Sequence, residues 1–131
     1  MQKKSSFIIF GFTEDMKRIV VKHEEPRNPN SGDSNAHWKV LVDMLGEDIV
    51  GYAVTIIYYV SDRRPQSDIV FISWAPSGAN IKLRMITASS VNALKPALVG
   101  IRTSVQANSK ADLDLEGIVA DKLKGQLLPS Q

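Results

Sequence analysis

Apolar residues occur along this chain in short blocks separated by polar breaks, and the spacing within each block sets the element it predicts. Ser6 to Phe12 reads SFIIFGF, and after the break Thr13-Glu14-Asp15 the stretch around Arg18 to Val21 reads KRIVVKHEE. Two such runs flanking a short polar break predict two strands joined by a tight turn. Pro26 to Asn35 (PRNPNSGDSN) has no apolar side chain, and its prolines and Ser-Gly step favour turns, so residues 26–35 predict a mobile loop with nothing to bury. Trp38, Val40, Leu41, Val42, Met44 and Leu45 return at helical spacing before Gly46, a natural stop, which predicts a short helix near residues 36–45.

Gly51 to Val60 (GYAVTIIYYV) is rich in β-branched and aromatic residues without alternation, the signature of a central strand covered on both faces. Ser61 to Ser67 (SDRRPQS) reads as a polar hairpin connection, and Asp68 to Trp74 (DIVFISW) as a second central strand. From Ala79 the period changes to helical. Ile81, Met85, Ile86, Ala88, Ala93 and Leu94 recur at three- and four-residue steps, which predicts a core face that leaves Lys82 and Ser89 on another side. Pro96 ends or kinks that helix near Leu94 or Lys95, and Gly100 closes the segment. Ile101 to Gln106 alternates as a short edge strand. Asp112 or Asp114 is placed to cap a last helix carrying Leu115, Ile118, Val119 and Leu123, and residues 125–131 read as a frayed tail. The order β-β-α-β-β-α-β-α predicts an α/β fold of the α+β type, a central mixed five-stranded sheet flanked by helices on its faces.

Length and composition narrow the function. At 131 residues, 44% apolar and 23% charged, the chain has the size and content of one globular domain, residues 1–131. It has no cysteine, which removes disulfides, thiolate metal sites and cysteine nucleophiles together and fits a cytoplasmic location. No apolar run approaches the roughly 18 residues that span a bilayer, so the chain is not read as transmembrane. A net charge of +2, with basic residues scattered in pairs, gives no field for nucleic acid.

Catalytic chemistry is sparse. An enzyme needs a nucleophile beside a base, two carboxylates in a cleft or a metal cluster, and the two histidines, His23 and His37, lie outside any ligand-spaced motif. Surface or capping roles suit both better. Pro76-Ser77-Gly78-Ala79-Asn80-Ile81-Lys82 lacks the two-glycine frame and the Lys-Ser/Thr pair of a phosphate loop, although it puts polar backbone at a helix start where an anion can dock. No catalytic residue, metal or cofactor is predicted.

The block from Trp74 to Ser90, WAPSGANIKLRMITASS, resembles the signature of the actin-depolymerising factor/cofilin family. There a strand ending in Trp-x-Pro leads into a long helix with two basic residues, a methionine and Ala-Ser-Ser, here Trp74, Pro76, Lys82, Arg84, Met85, Ala88, Ser89 and Ser90. FIIF of Phe7–Phe10, GYAV of Gly51–Val54, DIVFISW and the stretch from Ala93-Leu94 to Val105-Gln106 resemble the family's other elements in order, from Phe7 to about Lys124.

The resemblance implies a non-enzymatic, cytoskeleton-associated protein that binds actin monomers, in the ADP-bound form, and filaments, and that promotes depolymerisation. It implies Lys82, Arg84, Met85 and Ser89 as actin contacts, with the helix inserted into an apolar cleft of the partner. A flexible methionine flanked by cations suits that role. For an arbitrary helix the plainer reading is a core methionine with solvated cations. The resemblance favours contact for Lys82 and Arg84 and leaves Met85 open between the two. Asp112 falls where the family often has an acid that supports monomer binding, and it is equally placed as a helix cap.

Three departures qualify the resemblance. The family has a helix before its first strand, whereas this sequence starts at the strand; if complete, it leaves a strip of apolar sheet uncovered. Gln66 and Asp68 stand where the family has basic filament contacts, and Arg63 and Arg64 are the candidates to replace them. The last helix keeps Lys122 and Lys124 as possible filament contacts but carries Asp121. Monomer binding is therefore expected to survive better than severing. The alternatives are a membrane-surface regulator using Lys82, Arg84, Lys122 and Lys124 on phosphoinositides, and a non-depolymerising filament or branch-junction binder of the same fold.

Overall fold

The strand around which the sheet is laid is the near-continuous apolar run, and its two faces are buried by different helices. The computed structural model describes residues 5–14, 18–26, 35–46, 49–94 and 103–126. In chain order they form β1 (Ser5–Phe12), β2 (Ile19–Pro26), α1 (His37–Met44), β3 (Gly51–Ser61), β4 (Arg64–Trp74), α2 (Ile81–Leu94), β5 (Thr103–Ala107), a 3-10 turn (Lys110–Asp112) and α3 (Leu115–Asp121). The strand order is β2-β1-β3-β4-β5. Neighbours are antiparallel except β5, which runs parallel to β4 along the far edge. This is the mixed five-stranded sheet of an α+β fold that the sequence predicts.

Successive residues of a strand point to opposite faces, so β3 and β4 each feed two cores. Ala53, Ile57, Val70, Ile72 and Trp74, with Phe7 and Ile9 of β1, meet α1 through Trp38, Leu41 and Leu45, and α3 through Ile118 and Val119. The Trp74 indole also donates to Gly46 O at 2.9 Å, tying the end of α1 to the end of β4. On the other face Tyr52, Val54 and Phe71 gather Phe10, Phe12, Ile19 and Ile69. Helix α2 lies there, with the Tyr52 hydroxyl donating to Thr87 O at 2.7 Å. Phe10, Phe12 and Ile19 remain half-buried, and Val21 on β2 is 56% exposed.

Beyond the rungs with β1, which involve only Tyr52 to Thr55, the outward edge of β3 is completed piecemeal. The His37 Nε2 donates to Ile56 O at 2.6 Å. The Asn35 amide bonds both Tyr58 backbone groups, and Gln126 exchanges two backbone bonds with Val60, at 2.8 and 2.7 Å. Every second residue of the extended edge is satisfied in this way, as buried backbone must be. His37 also stacks on Phe7, whose other ring neighbour, His23, bonds Glu25 at 2.8 Å.

Three expectations are corrected. The hairpin connection is two residues, Asp62-Arg63, not Ser61 to Ser67, and β4 begins at Arg64. Asp62 and Arg63 have φ of 53° and 63°, the turn whose twist matches antiparallel strands. Polar residues 64–67 look like loop because this end of β4 is exposed, although each pairs with β3. Pro65 fits since it opposes Val60, whose own backbone bonds turn outward to Gln126. Asn35, assigned to a loop with nothing to bury, is 4% exposed. Residues Gly125 and Gln126, assigned to a frayed tail, are fixed by the Val60 bridge. A Cβ on Gly125 would lie 2.5 Å from Tyr59 Cδ2, so only glycine brings the chain this close. The rest of the loop at 27–34, the stop at Pro96 and Gly100, the strand start at Ile101 and the tail after Gln126 lie outside the described residues.

Candidate functional site

Helix α2 starts where Asn80 Oδ1 accepts the backbone N–H groups of Lys82 at 2.8 Å and Leu83 at 3.4 Å, an N-cap supplied by the chain itself. The helix start read as an anion-docking position is thus occupied by Asn80. From there the buried side runs through Leu83, Ile86, Thr87 and Ser90, with Thr87 fully buried. Thr87 tolerates burial because its hydroxyl donates to Leu83 O at 2.7 Å while its carbonyl accepts from Tyr52.

The predicted core face of this helix is therefore wrong at Ile81, Met85 and Ala88, whereas Ile86 is on the buried side and the side chains of Ala93 and Leu94 lie outside the described residues. Ile81 and Met85 are 69% and 67% exposed, and with Lys82, Ala88 and Ser89 they form one outward stripe at positions i, i+1, i+4, i+7 and i+8. Met85 is not core, and Lys82 and Ser89 share its side rather than opposing it. Ser89 Oγ donates to Ile86 O at 3.1 Å, and Lys82 has no side-chain partner among the described residues. Arg84 sits at the flank, half-buried, its Nε enclosed without a hydrogen-bond partner.

The other predicted residues divide between the two ends of the sheet. The end of β5 is bound to the loop before α2 by Ala75 N–H to Ala107 O at 3.0 Å and Ser77 N–H to Asn108 O at 3.2 Å. Asp112 lies at that end. It is not the cap of α3, a position held by Asp114; its Oδ2 accepts the Asn108 N–H at 2.9 Å. Arg63 and Arg64 are at the opposite end of the β3–β4 hairpin, roughly 33 Å away at the ordinary rise of a strand. Lys124 joins them, because its carbonyl accepts from Ser61 Oγ at 3.2 Å, and Lys122 precedes it at the end of α3. Asp68, in a position of interest beside them, accepts the Tyr59 hydroxyl at 2.5 Å. Lys82 and Arg84 thus lie on one side of the sheet and the helix leading to Lys122 and Lys124 on the other.

Ile81 is the residue that sequence reading missed. Its signal was present in the four-residue step to Met85, taken as evidence of burial. Two large apolar side chains exposed next to each other beside a free ammonium make this stripe a candidate interaction surface, with Met85 able to adapt to the shape it meets. The arrangement can seat a helix in an apolar groove with an acidic rim. Among the described residues no group of three or more His, Asp or Glu side chains is placed to hold a metal, and no helix is long and apolar enough to cross a membrane.

Comparison with known proteins gives a consistent picture. Residues 1–123 match the family described as cofilin/tropomyosin-type actin-binding protein. A protein named cofilin from Gibberella zeae is 33% identical over 134 residues, spanning 95% of this chain and 85% of the relative. The crystal structure of Streptomyces griseoflavus cofilin superposes with a TM-score of 0.79 at 26% identity, covering 95% of this chain and 86% of that one. Coactosin from Entamoeba histolytica shares the fold, with a TM-score of 0.73 at 22% identity over 90% of this chain and 79% of its own.

Proposed function

Since the chain belongs to the cofilin/actin-depolymerising factor family of actin-binding proteins, we propose that it binds actin monomers through the outward stripe of α2 and promotes filament turnover. The observation that carries this reading is the exposure of Ile81 and Met85 on the side that also presents Lys82. Their apolar surface enters a cleft of actin, Lys82 meets an acid at its rim, and Ser89 and Arg84 border the contact. Asp112 supports the same end of the molecule. ADP-bound actin is the proposed form, and the protein acts by binding rather than catalysis.

The filament contact is the weaker half of the proposal. Arg63, Arg64, Lys122 and Lys124 supply positive charge at the hairpin end, but Gln66 is uncharged and the Asp68 carboxylate is held by Tyr59. Monomer binding therefore outlasts severing. The wide separation of Lys82 and Arg84 from Lys122 and Lys124 favours this reading over one phosphoinositide patch built from all four.

The test is titration into fluorescently labelled ADP-actin monomers, with parallel co-sedimentation on filaments. Saturable binding at micromolar concentration or tighter supports the proposal, and the pellet reports the filament contact. Binding to neither form would overturn it, and efficient severing at nanomolar protein would overturn the ranking of the two activities.

A further inference from the structure

The end of β4, the end of β5 and the 3-10 turn meet just before α2, and one carboxylate fastens them. Past the last β4–β5 pair, Trp74 with Ala107, the ladder runs on into the loop: Ala75 N–H donates to Ala107 O at 3.0 Å and Ser77 N–H to Asn108 O at 3.2 Å. Pro76 between them has no N–H to give. Among the described residues the bond from Ser77 is the last that the loop makes to this edge before Ala79 turns back on Pro76 O and Asn80 caps the helix.

Asn108, the acceptor of that bond, is exposed and lies one residue beyond the end of β5. Asp112 holds it there, its Oδ2 accepting the Asn108 N–H at 2.9 Å. The turn that carries Asp112 is itself anchored, by Asp112 N–H to Ser109 O at 3.0 Å, by buried Leu113, and by the Lys110 ammonium, which donates to Val42 O near the end of α1. A carboxylate fixed to the body of the protein therefore reaches, through the two backbone groups of one residue, the N–H that places the start of α2.

We propose that Asp112 is a positioning residue: it holds Asn108, Asn108 holds Ser77, and Ser77 sets where the first turns of α2 present Ile81, Lys82 and Met85. The clamp is a property of the free protein. Its consequence for monomer affinity rests on the actin contact proposed for α2, and the carboxylate acts on that affinity without touching actin. An unclamped helix start populates the binding-competent arrangement less, and apparent affinity falls by the same fraction.

The experiment compares the full chain with Asp112→Ala and Asp112→Asn, by NMR-detected amide exchange and by titration into fluorescently labelled ADP-actin monomers at two salt concentrations. Asparagine keeps an oxygen that can accept the Asn108 N–H and drops the charge. In Asp112→Ala the Asn108 and Ser77 amides should exchange faster while those of β1 keep the parental rate, and monomer affinity should fall about threefold to tenfold, the range of one lost hydrogen bond. Asp112→Asn should stay within about twofold of the parent in both readouts, because an exposed charge adds little to the bond it keeps. Raising the salt should weaken the parent and Asp112→Ala by the same factor, since no charge facing actin has been removed.

A direct charge contact with actin predicts a different pattern. Asp112→Asn as weak as Asp112→Ala, affinity lost with the Ser77 amide at its parental rate, a salt dependence reduced by Asp112→Ala, or faster Ser77 exchange with parental affinity would each overturn the proposal. Should the parent itself bind no ADP-actin, the actin contact falls, and exchange at Ser77 alone decides whether Asp112 holds the start of α2.

Discussion

Asn35 pairs with Tyr58 as if it were a strand residue, its Nδ2 donating to Tyr58 O at 2.7 Å and its Oδ1 accepting the Tyr58 N–H at 2.8 Å. One side chain replaces a rung of backbone. Asn35→Ala removes both bonds at a buried position, and the expected loss is about 1–3 kcal/mol of stability. Urea unfolding measures it, and faster hydrogen exchange at the Tyr58 amide locates it.

On α2 the exposed and flanking residues should behave differently. Lys82→Ala and Met85→Ala leave the fold within about 0.5 kcal/mol of the parent, as exposed substitutions generally do. Each should weaken ADP-actin monomer binding by about 1–3 kcal/mol, the range of a contributing interface residue. Arg84→Ala should lower both actin affinity and stability, because its half-buried stem packs against the body of the protein. Paired titration and unfolding measurements separate the three variants.

Tyr52 gives the fold an alkaline limit. Burial raises its pKa above 10.0, an effect that a hydrogen bond with Ser90 partly offsets. The folded state thus holds this proton more tightly than the unfolded chain. Its contribution is complete below the unfolded value of about 10 and is lost as pH rises from there through the folded value. Urea midpoints recorded from pH 8 to 11 should fall at the alkaline end, and Tyr52→Phe should flatten that fall while costing about 1 kcal/mol at neutral pH for the bond to Thr87.

The hairpin tip carries its charge under strain. Asp62 and Arg63 both adopt left-handed backbone, which costs a residue with a side chain roughly 1–2 kcal/mol relative to its preferred region. Arg63→Gly should therefore raise the unfolding midpoint. It should also reduce filament co-sedimentation if Arg63 meets the filament, leaving monomer affinity unchanged. A glycine variant that pellets as well as the parent would remove Arg63 from the filament contact.

Element order and the central strands were legible because β3 and the core half of β4 carry apolar side chains on both faces, a pattern that few other placements satisfy. The rest was hidden for identifiable reasons. On α2 hydrophobicity misled: Ile81 and Met85 point outward, whereas buried Thr87 satisfies its own polar atoms. The first half of β4 is polar because it lies on exposed sheet, and polarity there was read as loop. Asn35 gives no local sign of its role, since its partner is 23 residues away. The Trp74 to Ser90 block located the candidate helix, but only the fold showed which of its sides faces out.

The edge of β3 also has a temporal consequence. His37 and Asn35 precede the strand they complete, but the rung at Val60 waits for Gln126, 66 residues further along the chain. During synthesis β3 and β4 can pair while the ribosome still holds the segment that finishes their outer edge. For that interval the nascent chain exposes two unpaired backbone groups beside an apolar strand, an invitation to pair with a neighbouring chain. Emergence of Gln126, rather than formation of the sheet, ends the exposure.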